Sequence, residues 1–125
     1  MSSTLVFVYN ADSGLFNALT DMAHKILSPN TYPCRLCALT YSNVGMRREW
    51  RDFIDRLSAQ VEFLHADELK GRYGIEAVPL PAVFMEQGGG LEVLIHKDAL
   101  DACQNLADLK FIVADSIKSE QLSRQ

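Results

Sequence analysis

The chain is short of the features that mark most specialised classes of protein. It has three cysteines in 125 residues, too few and odd in number for the disulfide framework of a small secreted domain. It has no excess of positive charge: 12 Lys and Arg stand against 16 Asp and Glu, with net charge -4 and pI about 5.3. Such a balance draws neither a phosphate backbone nor an anionic lipid surface, which argues against nucleic acid and membrane as partners. Long hydrophobic runs are missing, since the longest fall well short of the roughly 20 residues a membrane span needs. Met1-Ser-Ser-Thr4 lacks the basic segment and apolar run of a leader, and the reading is a soluble cytoplasmic protein. No internal repeat, low-complexity segment or linker interrupts the chain. A Gly-x-x-x-x-Gly-Lys-Ser/Thr phosphate loop is absent too, and Gly88-Gly-Gly90 lies between two apolar runs as a hairpin turn. Ser13 has no nucleophile elbow around it and reads as a helix cap.

With 48% hydrophobic and 22% charged residues, the chain has the material for one globular core. It reads as a single domain over 1–118 followed by a polar tail, 119–125. Leu5-Val-Phe-Val-Tyr9 is a continuous apolar run, the pattern of a strand buried on both faces. Leu15, Phe16, Leu19, Met22, Ala23, Ile26 and Leu27 recur at helical spacing and stop at Ser28-Pro-Asn30. The run from Leu36 to Tyr41 suggests a second strand. Met46, Trp50, Phe53, Ile54 and Leu57 mark a second helix, Val61 to His65 a third strand and Asp67 to Arg72 a short helix. The proline-rich stretch Val78-Pro-Leu-Pro81 then opens a strand, a glycine turn and a further strand, Leu91 to Ile95, before one or two helices from Asp98 onward. Strands alternating with helices imply an α/β sheet covered on both faces.

The run Tyr73, Gly74, Ile75, Val78, Pro79 and Phe84, together with the element order, resembles the thioredoxin-like superfamily. The resemblance covers almost the whole chain in order but rests on this one motif. It implies a three-layer sandwich with a mixed sheet and helices on both faces. It also implies a cis peptide bond before a proline, placed at Pro79 with Pro81 as the alternative. The family's redox Cys-x-x-Cys would fall at Ser42-Asn-Val-Gly45, or at Asn10-Ala-Asp-Ser13 if the first strand is the reference; neither place holds a cysteine.

The pair that is present is Cys34-Arg-Leu-Cys37. Two cysteines three apart can form a reducible disulfide or supply half of a tetrahedral thiolate site. At the start of a second strand they would sit at the pole away from the helix N-termini, where no helix dipole helps a thiol ionise. The plainer alternative is that Cys37 is a small buried hydrophobe and Cys34 a loop residue. A zinc site would add His24 to Cys34 and Cys37, with His65 or Cys103 as further candidates, although the spacing is not a standard one. His24 and His65 are also readable as helix-end and strand-end residues.

A separate candidate begins at Ser42 and Asn43. Arg47 and Arg48 fall in the first turn of a helix, where positive charge opposes the dipole. Free backbone N–H groups and guanidinium groups there, beside Pro79, could hold a carboxylate or phosphate. The alternative is a solvated face balanced by Glu49, Asp52 and Asp55. Three functional expectations follow. The first is a binding or adaptor domain for a protein, a peptide or a small anionic ligand through Ser42, Asn43, Arg47, Arg48 and Pro79. The second is a thiol-disulfide protein working through Cys34 and Cys37, and the third is zinc binding by His24, Cys34 and Cys37.

Overall fold

The computed structural model describes residues 4–10, 35–42, 45–57 and 59–123. Its centre is β1, Thr4–Val8, where every residue after Thr4 is fully buried. Such a strand needs neighbours on both edges and cover on both faces, as the unbroken apolar run implies. On one edge β1 pairs in parallel with β4, Gln60–Leu64, and on the other it pairs antiparallel with β5, Ala82–Gln87. A hairpin joins β5 to β6, Gly90–Ile95, completing a mixed four-stranded sheet in the order β4-β1-β5-β6. Gly88 and Gly89, at φ 62° and 87°, supply the left-handed turn that such a hairpin requires.

Alternation along β1 divides the core in two. Leu5, Phe7 and Tyr9 face one side and belong to the larger cluster, with Trp50, Val83, Met85, Ile95, Leu100, Leu109 and Val113. The helices on that side are α1 (Arg35–Thr40), α2 (Arg48–Asp55), α4 (Lys97–Asp101) and α5 (Leu106–Ser123). Val6 and Val8 face the other side, where they meet Leu64, Ala82, Phe84 and Leu69. Leu69 belongs to α3, Ala66–Tyr73. The class is α/β, with helices on both faces of the sheet.

Two local features explain why α3 lies where it does. His65 holds the N-cap position, and its backbone N–H donates to Glu68 Oε1 at 2.9 Å, closing a capping box that the sequence carries three residues apart. At the other end Gly74 adopts φ 69°, and its N–H donates to Lys70 O at 2.8 Å; a side chain there would meet the left-handed penalty.

Three expectations from the sequence change. The run from Leu36 to Tyr41 is helix α1 up to Thr40, followed by a two-residue ladder of β2 (Tyr41–Ser42) with β3 (Gly45–Met46). Leu36, Cys37, Leu39 and Thr40 are all buried, so the run shows no two-fold alternation, and a short apolar stretch fits either helix or strand. Thr40 Oγ1 donates to Leu36 O at 2.6 Å, an i to i-4 contact that only the helix offers. The cis bond is Leu80–Pro81, not the bond before Pro79; Pro81 is the proline that directly precedes β5. Lastly, α5 continues to Ser123 through residues that read as a polar tail. The helix expected over Leu15 to Leu27 lies outside the described residues. No helix among the described residues is long and apolar enough to cross a membrane.

Candidate functional site

The C-terminal ends of the parallel strands β1 and β4 lie side by side, where open α/β sheets form their crevices. Tyr9, just past β1, donates its N–H to Leu64 O at 3.0 Å. Its ring stacks on Phe63, with centroids 6.0 Å apart and planes 8° apart, and meets Tyr41 edge-on at 5.7 Å. His65 approaches the same ring at 5.8 Å. The Tyr9 hydroxyl faces the hydroxyl groups of Tyr41 and Thr40. Burial pushes the Tyr9 phenol well above its ordinary value, and Tyr41 adds to that rise. Tyr9 is therefore held neutral at this end of the sheet.

Helix α1, which carries Cys37, ends at Thr40 beside Tyr9. Cys37 is the third residue of α1 and is buried. Thr40 follows it by three positions, the spacing of one helical face, and Tyr41 opens β2 directly after the helix. Cys37 takes part in a disulfide bond, whereas Cys103 is a buried free thiol. Cys34 and His24 lie outside the described residues. This placement overturns the objection raised by a strand reading. Cys37 is in the first turn of a helix whose far end touches Tyr9, and not in a strand.

Cys103 lies in the corner between α4 and α5, and its sulfur approaches Ala99 O at 3.6 Å. His65 is held by Glu68, with Nδ1 2.5 Å from Glu68 Oε1. Both residues thus have structural partners away from Cys37's bond. Among the described residues no three or more His, Cys, Asp or Glu side chains are placed to hold a metal.

The basic candidate is only partly assembled. Arg47 caps α2 without a side-chain bond, its N–H donates to Thr40 O at 2.8 Å, and Arg48 opens the helix. Both side chains are exposed and make no ion pair among the described residues. Asn43 lies outside the described residues, and of Ser42 only the backbone in β2 is described. Pro79 is exposed in the segment before β5, whose neighbours Val78 and Leu80 cover the opposite face of the sheet from α2. There a cavity of about 400 Å³ opens over Leu69, Ile75, Val78 and Leu80, with Asp67, Lys70 and Glu76 at its polar rim. Lys70 and Glu76 form an ion pair of 2.6 Å. The structure thus separates Arg47 and Arg48 from the Pro79 segment that the sequence set beside them.

Sequence reasoning passed over Tyr9, Thr40 and Tyr41, which it took as ends of strands. A tyrosine ending the most buried strand was the available signal, since its hydroxyl needs a partner when buried. Compared with known protein families, with curated proteins and with solved structures, the chain matches none of them.

Proposed function

We propose that the chain is a thioredoxin-like protein of thiol-disulfide chemistry, working through Cys34 and Cys37. The observation that carries this reading is the disulfide at Cys37. With Cys103 free and three cysteines in the chain, Cys34 is the remaining candidate for its partner. The sheet order β4-β1-β5-β6, with Pro81 leading into β5 beside the end of β1, supports the family likeness. By that likeness the first strand is the reference, and Cys37 stands on α1 rather than in the turn directly after that strand.

The chemistry follows from burial. Cys37 is 1% exposed, so an incoming substrate thiolate reaches the bridge through its other sulfur. Attack on Cys34 Sγ forms a mixed disulfide and releases Cys37 as a thiolate, which takes up a proton. A second substrate thiol then attacks its own sulfur in the mixed disulfide, leaving the substrate oxidised and both protein cysteines reduced. Run backwards, the dithiol reduces a substrate disulfide.

A disulfide sulfur is not a thiolate ligand, so zinc binding by His24, Cys34 and Cys37 belongs to the reduced protein alone. The test is intact mass and thiol mapping of the native protein, with and without reductant. The expected result is a loss of two hydrogens, reversed by reductant, with Cys34 and Cys37 in one linked peptide. Three free thiols under air would overturn the redox reading. Bound zinc with Cys34 and Cys37 protected would replace it with the metal reading. Three free thiols without metal, and partner capture lost in Arg47→Ala/Arg48→Ala, would leave the binding reading.

A further inference from the structure

The cavity beside α3 has no part in the dithiol chemistry proposed above, because it lies on the face of the sheet opposite the cluster that holds Cys37. Its volume of about 400 Å³ falls at the small end of the range of about 300–1,000 Å³ that ligand sites occupy. The floor is aliphatic. Leu69 is buried, and Ile75, Val78 and Leu80 are half-buried around it. These four side chains carry no polar atom, so the floor takes hydrocarbon and leaves recognition to the rim.

The charges on that rim are Asp67, Lys70 and Glu76. The other charged side chains of α3 are engaged elsewhere, Glu68 with His65 at 2.5 Å and Arg72 with Glu62. Glu76 is the only charged residue between Gly74 and Pro81. The lining therefore carries two carboxylates to one ammonium, a surplus of one negative charge however the three pair among themselves. Lys70 and Glu76 meet at 2.6 Å with both side chains more than half exposed, and an exposed pair of this kind is weak enough to rearrange around an incoming charge. Asp67 lies in the first turn of α3, where the helix dipole favours its ionised form.

We propose that this cavity binds a small apolar amine, with its ammonium at the Asp67 and Glu76 rim and its hydrocarbon body on Leu69, Ile75, Val78 and Leu80. The single positive charge of the ligand cancels the surplus of the lining. A carboxylate on the same body would instead add a third negative charge to the rim, which like-charge repulsion opposes. A neutral body would gain the floor alone.

An NMR titration of the full chain with hexylamine, hexanol and hexanoate tests the assignment. Hexylamine is expected to shift the amides of α3 and of residues 75–80 and to bind several-fold more tightly than hexanol, with hexanoate weakest. Added salt should weaken hexylamine and leave hexanol unchanged, since it screens exposed charge and not apolar contact. Asp67→Asn and Glu76→Gln should each weaken hexylamine several-fold, and Lys70→Ala should strengthen it by removing the competing ammonium. Val78→Thr, which keeps the shape of the floor but adds a hydroxyl, should weaken hexylamine and hexanol alike. Failure of hexylamine to shift these amides overturns the proposal. So does hexanoate that binds as well as hexylamine, or hexylamine binding that neither salt nor the Asp67→Asn/Glu76→Gln double variant reduces.

Discussion

The two faces of the sheet are covered in different ways. On one side Phe7 meets Trp50 edge-on at 5.6 Å and stacks on Phe63 at 5.3 Å, and Trp50 in turn stacks on Phe53. Four helices carry that cluster. On the other side, among the described residues, Phe84 sits among valines, Leu64 and Leu69 under α3 and the irregular segment through Val78 and Leu80. The first face is thick because its side chains are aromatic and interlock. Among the described residues the second has less cover, and a cavity of about 400 Å³ opens beside α3. Deep packing in one layer lets another stay shallow, because a domain needs only enough buried apolar area in total to offset its chain entropy.

The sharpest way to break this contrast is to make the same change on both faces. Phe7 and Phe84 are equally buried, and truncation of either to alanine is expected to cost about 3–5 kcal/mol. Phe7→Ala should cost about 1 kcal/mol more, since it also forfeits two aromatic contacts. Equal losses in urea melts would show that ring contacts do not distinguish the faces. The next effect in size is Leu69→Ala, which removes the buried anchor of α3 and is expected to cost about 2–4 kcal/mol. Hydrogen exchange should show α3 opening before the rest of the sheet, and uniform exchange would contradict a thin, separately anchored layer.

A smaller effect is expected at Trp50, whose buried Nε1 has no hydrogen-bond partner among the described residues. An unpaired buried donor is destabilising. Trp50→Phe removes that donor with part of the ring, and the two effects should nearly cancel, leaving thermal stability within about 1 kcal/mol of wild type. A large loss would mean that the indole's volume governs this face.

The smallest effect lies at Glu68, whose pKa is lowered, first by the backbone N–H of His65 and then by its ring. A carboxylate held below its unfolded value contributes stability that is present above the ordinary glutamate pKa and lost as pH falls through the lowered one. Glu68→Gln should therefore flatten part of the acid limb of the stability curve, with its loss of stability present at neutral pH and vanishing at low pH. An acid limb identical to wild type would remove the capping box from the account of α3.

Much of this fold was legible in the chain. Leu5 to Tyr9 announced a central strand because an unbroken apolar run is stable only when buried on both sides. The run from Asp67 to Arg72, with Gly74 after it, marked α3, and Gly88-Gly-Gly90 marked the β5–β6 hairpin, because caps and turns depend on local backbone geometry. The candidate site was less legible. The pair Cys34 and Cys37 was visible by spacing, but its place in the fold depended on whether residues 36–41 were strand or helix. A buried segment of six residues carries no periodic signal that separates the two.

The sequence by itself determined the α/β class, the central strand, the hairpin and the exposed charge of Arg47 and Arg48, since each follows from composition or from contacts within a few residues. Only the tertiary structure decided that Arg35–Thr40 is helical, that Pro81 carries the cis bond, and that Cys37 stands on the helix that reaches Tyr9 while Pro79 lies across the sheet from Arg47. Those outcomes depend on what covers a segment from elsewhere in the chain, and packing between distant residues leaves no pattern in a single local stretch.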